Sequence, residues 1–236
     1  MSMTVSNKKQ PDVHPIGKLE IPESKTEFLD NGIPVSIINL GDQSVNRVDI
    51  VVEGGRCDER HPLESDYVAA LLREGSTEHS AKEIAEQLDF NGSWLGCNAG
   101  SHTITVTMYS LNRNFDKVAG ILAELVHSPS FPEKELSTTK AMLKNRLRTD
   151  SEKVSYLANV SYNSHYYGAE HPLGRIPDEN MIERITREDI IDFHRRRFVP
   201  GNMRFVVSGK IEPGIIETLN RHFGRIGKAG TLCASA

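Results

Sequence analysis

Hydrolytic or redox chemistry on a polypeptide starts from clustered imidazoles, thiols and carboxylates, and such clusters are scarce in this sequence. A zinc ion held on a helix needs two imidazoles one turn apart and a third donor. Of the nine histidines, none forms an i, i+3 or i, i+4 pair with another on a predicted helix. His165 and His171 come nearest, with Gly168 and a helix end between them. Cys57, Cys97 and Cys233 are widely spaced and form no C-x-x-C pair, which fits reduced thiols better than a disulfide framework or a thiolate zinc site. No histidine is matched to Cys97 by spacing, so its expected use is packing in a strand. Asp66, in "DYVAALLREGST", stands where a helix begins and suits a first-turn carboxylate favoured by the helix dipole. The basic run "HRRRF" (194–198) suits the cationic last turn of a helix better than a phosphate patch.

These residues belong to an ordinary globular composition, 38% hydrophobic and 25% charged over 236 residues. Asp and Glu number 32 against 28 Lys and Arg, so no whole-chain basic field is available for nucleic acid or an anionic membrane. The N-terminal stretch "MSMTVSNKKQPDVHP" lacks the apolar core of a signal peptide, and no apolar run reaches membrane-spanning length. With the cysteine usage, this points to a cytoplasmic protein.

The elements that would position the residues are legible in the hydrophobic pattern. A polar arm is expected over 1–18, one domain over 19–228 and a small-residue tail over 229–236. Two β-prone runs flank Asp30-Asn31-Gly32 as a hairpin, and a third strand, "NRVDIVVEGG", stops at paired glycines. The period then turns helical from Leu63, with Leu63, Tyr67, Ala70 and Leu71 on one face and Gly75 as the stop. Ser80-x-x-Glu83 is a capping box for a second helix, closed at Asn91-Gly92. "SHTITVTMYSL" alternates as a strand, with Ile104, Val106 and Met108 on one face. An amphipathic helix follows over "NFDKVAGILAELVHSP", then two longer helices separated by a polar joint over "FPEKELSTTKAMLKNRLRTD" and "KVSYLANVSYNSHYYG", and another over "TREDIIDFHRRRF", capped by Thr186. A strand "NMRFVVSG" and a helix from about Pro213 to His222 complete the order. The pattern gives an α+β fold, a sheet of about five to six mostly antiparallel strands covered on one face by helices. Trp94, Tyr162, Tyr166 and Tyr167 are expected in the core or at an interface.

"VVEGGRCDE", "LLREGSTEHSAKEIAEQLDFNGSWL", "LVHSPSFPEKEL", "HPLGR" and "ITREDIIDFHRRRFVPGNMRFVVSGKI" together resemble, in order and spacing, the insulinase/pitrilysin family of zinc metallopeptidases, which includes mitochondrial processing peptidases. The similarity runs from about Lys25 to Glu212. Active members of that family carry an inverted His-x-x-Glu-His motif before a Leu-Phe-x-Gly-Thr-like stretch, with both His as zinc ligands and the Glu as general base. Setting "LLREGS" on that stretch places Asp66, Ala69 and Ala70 where His, Glu and His would stand, and Asn145 where the family has its third, Glu ligand. The resemblance therefore implies a degenerate member with no catalytic residues, no metal and no cofactor, zinc being the family's. It also implies an edge strand that helps hold extended substrate. Asn98-Ala99 is the family's Asn-Ala pair by residue type, whereas spacing from Gly92 favours Gly96-Cys97.

The function expected is a non-catalytic homologue that binds peptide or protein, as the partner subunit of an active peptidase or in a homo-oligomer. One alternative is an active metal-dependent endopeptidase with substitute ligands drawn from Asp66, His79, His102 or His165. Another is a truncated structural fragment. In the family two such domains make one half of a chamber, so a face that the second domain would cover is expected to be exposed.

Overall fold

The computed structural model describes Gly17 and residues 22–225. Apart from Gly17, the expected arm over 1–18 lies outside the described residues, as do Cys233 and the tail over 229–236. The fold is α+β. Strands β1 (Lys25–Phe28) and β2 (Pro34–Asn39) form the hairpin, and β3 (Val45–Glu53) ends at Gly54-Gly55. Helices α1 (Glu64–Leu71) and α2 (Ala81–Phe90) precede β4 (Trp94–Ala99) and β5 (Thr103–Leu111). Four helices follow, α3 (Phe115–His127), α4 (Glu133–Ser151), α5 (Val154–Tyr167) and the short α6 (Glu179–Arg184). Then come α7 (Arg187–Arg197), β6 (Met203–Gly209) and α8 (Ile215–Phe223).

The six strands make one mixed sheet in the order β1-β2-β6-β3-β5-β4. Only the β2–β6 pairing is parallel. Strand alternation sorts the side chains by face. Val48, Ile50, Val52, Ile104, Val106, Met108, Phe205 and Val207 are buried under the helices. Their neighbours Arg47, Asp49, Thr107 and Tyr109 lie on the other, more open face. The expected caps are formed, since Ser80 and Glu83 bond reciprocally at α2 and Thr186 and Asp189 at α7.

One expectation changes in the structure. Ala70 is exposed, whereas Val68 and Ala69 join Tyr67 and Leu71 among the buried residues of α1. The reason is that α1 packs on α7, α4 and β4 from different sides, leaving only the flank at Ala70 open. Of the two places left open for the aromatic residues, the core is excluded: Trp94 is exposed on the edge strand β4, and Tyr162, Tyr166 and Tyr167 are exposed on α5, which buries none of its residues and packs chiefly on α4.

Leu71 and Leu72 are essentially inaccessible. Leu71→Ala or Leu72→Ala is expected to cost about 2–5 kcal/mol. Asp66→Asn, at a partly exposed ion pair, should cost no more than about 1 kcal/mol. Urea denaturation of the three variants checks this, and equal losses would place the wrong face of α1 in the core.

Candidate functional site

The helix that would carry the chemistry is held rigidly at its N-terminus. Gly54 has φ +146°, and a Cβ there would meet the Arg197 side chain at 2.8 Å; one on Gly55 would meet the Gly100 carbonyl at 2.5 Å. Glycine at both positions lets the β4–β5 hairpin and α7 close on the start of α1. Leu63, just before the helix, takes a left-handed conformation and offers no side-chain cap. Glu59 does the capping from a distance, accepting from the Leu63 and Ser65 amides, both at 2.9 Å, and from Ser65 Oγ at 2.6 Å. Burial pushes the Glu59 carboxyl up to about 7, although these bonds favour its charged form. Glu64, buried, accepts from the Arg60 amide at 3.0 Å and pairs with Arg196 at 3.1 Å, while Arg197 pairs with Asp58 at 2.9 Å. Much of the basic run at 194–198 is thus used inside the fold, and His194 is buried with its Nε2 3.0 Å from the Val126 carbonyl. Burial lowers that imidazole to about 4.

Along α1, Asp66 accepts two bonds from Arg56, from Nε at 3.2 Å and Nη2 at 3.1 Å. One turn on, Ala69 and Ala70 line an open groove of about 490 Å³ between α1 and the sheet edge. Its other walls are Arg73, the β4 residues Trp94 and Gly96 to Asn98, and two threonines of β5. Trp94 lies across Gly96, where a Cβ would come within 2.3 Å of the indole, and it contacts Tyr109 with ring centroids 5.8 Å apart. Arg73 donates from Nη1 to the Leu95 carbonyl at 3.1 Å. Burial raises the Cys97 thiol to about 12, so it is no ready nucleophile.

Strand β4 ends the sheet, so it has a strand partner on one side only. The Gly100 amide donates to the Thr103 carbonyl at 2.8 Å. Antiparallel alternation from that bond makes Asn98/Thr105, Gly96/Thr107 and Trp94/Tyr109 the bonded pairs. The backbone groups of Leu95, Cys97 and Ala99 therefore point to the free edge. All four candidates of the Asn98-Ala99 and Gly96-Cys97 pairs lie on β4, with Gly96, Cys97 and Asn98 lining the groove.

Asp66, Ala69 and Ala70 share α1, as the alignment requires, but Asn145 lies exposed on α4, where its carbonyl accepts from Thr149 Oγ1 at 3.0 Å. The α4 positions partly buried against the core are Leu143 and Leu147. A zinc ion does not fit these residues. Alanine has no donor, both Asp66 oxygens are taken by Arg56, and catalytic zinc needs three protein ligands. Neither do the substitute histidines converge: His102 is exposed in the hairpin, and His165 Nδ1 lies 2.8 Å from the Ser161 carbonyl on α5. Among the described residues, the group with donor atoms close enough for a metal is Glu78 and His79, on the turn between α1 and α2, with Glu124 of α3. Two of them already bind each other: His79 Nδ1 lies 2.9 Å from Glu124 Oε1, and Ser76 Oγ donates to the same oxygen.

Sequence reasoning passed over Arg73 and Glu59, and gave Trp94 no place in the groove. Arg73 follows Ala69 by four residues and Ala70 by three, a spacing that puts it on their helical face. Trp94 stands two before Gly96, on the same face of a strand. Nothing local marks Glu59 as a cap, because its bonds depend on how the preceding turn folds.

Comparison with known proteins bears on the fold. Residues 184–232 match the model of the peptidase M16 inactive domain. An uncharacterised zinc protease of Rickettsia felis is 22% identical over 203 residues, which are 84% of this chain and 49% of that protein. The alpha subunit of the mitochondrial processing peptidase of Pongo abelii is 25% identical over 188 residues, 77% of this chain and 35% of the relative. Among solved structures, the peptidase M16 inactive domain from Pseudomonas fluorescens superposes with a TM-score of 0.81 at 19% identity, over 88% of this chain and 52% of that one. The fold is that of M16 peptidase domains, and the insulinase/pitrilysin resemblance holds in both sequence and structure. The chain spans about half or less of the relatives it matches. No helix of the described residues is long and apolar enough to cross a membrane.

The His79–Glu124 contact makes the fold pH-dependent. The Glu124 carboxylate raises the His79 pKa above its ordinary value. The stability this contributes is fully present below the unfolded imidazole pKa of about 6.5 and is lost as pH rises through the higher folded value. Melting temperatures across that window should fall more steeply with pH for the wild type than for His79→Gln; parallel profiles would show that the pair is energetically silent.

Proposed function

We propose that this chain is a non-catalytic M16-type domain that binds an extended peptide along the free edge of β4 and works as the partner of an active peptidase. The observation that carries the reading is the groove itself. It keeps an open strand edge beside α1, while of the helix positions that would hold metal and base Ala69 and Ala70 line the groove without a donor and Asp66 is tied to Arg56. An incoming strand would satisfy the outward backbone groups of Leu95, Cys97 and Ala99, with side chains settling over the groove. No metal or cofactor takes part in such binding.

The partner role draws on one further fact. On α5, Leu157, Tyr162 and Tyr166 are exposed, the two tyrosine rings stacked 5.8 Å apart, as a surface awaiting a companion would be.

Trp94 is the chain's sole tryptophan and lines the groove, so its emission reports occupancy directly. Titration with an unstructured peptide should shift Trp94 emission saturably. Protein purified without added metal should contain no stoichiometric zinc, and chelator should leave its melting temperature unchanged. Stoichiometric zinc together with cleavage of the peptide would overturn the proposal.

A further inference from the structure

The groove carries one formal charge. Of the side chains lining it, only Arg73 is ionised. Asp66 is held by Arg56 and Asp49 by Arg47, while Glu74 and Asp89 line an adjoining hollow together with Arg73. Among the described residues no carboxylate makes an ion pair with Arg73, and its charge is felt at the Cys97 thiol across the groove. What the guanidinium does hold is a neutral acceptor, the Leu95 carbonyl, at 3.1 Å from Nη1.

That carbonyl points to the free edge of β4, where a peptide would have to bond. Arg73 thus occupies one backbone position of the missing strand. An added strand would supply a peptide N–H to the Leu95 oxygen, so displacing Arg73 leaves no buried carbonyl without a partner. The freed guanidinium then needs a new acceptor. A planar fork of donors pairs more strongly with a carboxylate than with an amide oxygen, and the bidentate geometry fixes the carboxylate's place. A lysine or arginine at the same place on the peptide would meet a like charge.

Building on the edge-binding reading above, we propose that Arg73 makes the site selective for acidic peptides, exchanging the Leu95 carbonyl for a Glu or Asp carboxylate of the bound strand. The walls suit that exchange. Thr105 and Asn98 offer a hydroxyl and an amide to the side chains of the strand, the Thr107 hydroxyl already donates to Asp49 at 2.6 Å, and Trp94 closes the groove without adding charge. The two alanines leave room for the guanidinium to swing.

The test uses three unstructured peptides with both ends blocked, identical except for Glu, Gln or Lys at alternate positions. Trp94 emission and fluorescence anisotropy follow their binding to the wild type and to Arg73→Ala, Arg73→Gln and Arg73→Glu. Arg73 is exposed, and melting temperatures will confirm that each variant is folded. For the wild type, the Glu peptide is expected to bind about tenfold more tightly than the Gln peptide, the discrimination of one charge-assisted contact. Added salt should shrink the difference. Arg73→Ala and Arg73→Gln should bring the Glu-to-Gln ratio to about one without abolishing binding, and Arg73→Glu should favour the Lys peptide. Equal binding of Glu and Gln peptides to the wild type, or a preference that survives Arg73→Ala, would overturn the assignment and leave edge binding intact. Failure of every peptide to bind any of the four proteins would overturn edge binding itself, and this inference with it.

Discussion

The site depends on one unclosed ladder. Strand β4 bonds to β5 through Trp94, Gly96 and Asn98, and turns its remaining backbone groups away from the sheet. An exposed edge is an unstable arrangement to leave bare, since each outward N–H and C=O invites another strand. Here α1 runs beside the edge but does not cover it, and one arginine reaches across to a single carbonyl. The groove, its polarity and its access all follow from that partial cover.

The cover can be partial only because α1 is fixed at its other end. Glu59, Glu64, Arg196 and Arg197 draw its first turn, the 56–58 turn and α7 into one network, and the two glycines after β3 let the hairpin close over it. Several of these groups are largely buried, so removing one partner would strand a charge rather than merely lose a contact. Rigid support at the N-terminus sets the direction of α1 and hence the width of the groove near Ala70. In a zinc peptidase the same frame would orient ligands; here it orients a small-residue surface.

The fold was legible in the sequence to the extent that local pattern controls it. The turn at Asp30-Asn31-Gly32, the capping boxes at Ser80 and Thr186 and the alternation of Ile104, Val106 and Met108 each involve neighbours within a few residues. The assignment of Ala70 to the buried face failed because helical periodicity identifies a stripe but not how many partners surround the helix. For the aromatic residues of α5 the pattern left core and interface undivided for a related reason, because burial is a tertiary property; α5 packs chiefly on α4 and leaves them exposed. At the site, Asp66, Ala69 and Ala70 could be placed from the one-turn spacing of a motif. Asn145 depended on counting residues across two helices and a sheet, and it lies on the exposed side of α4. Arg73 was visible in sequence only as a charge near a helix end; its meaning comes from the Leu95 carbonyl, far off in the chain but near in space.

The central claim is that the free edge of β4 receives a strand. Amide hydrogen exchange of β4, resolved residue by residue by NMR, tests it most directly. Without peptide, the Gly96 and Asn98 amides should exchange slowly, because they bond to β5, while the Cys97 and Ala99 amides, which have no strand partner, should exchange fast. With saturating peptide, Cys97 and Ala99 should become protected and Gly96 and Asn98 should hardly change. Peptide binding that leaves Cys97 and Ala99 as fast as before would contradict the account, since the peptide would then be held somewhere other than this edge.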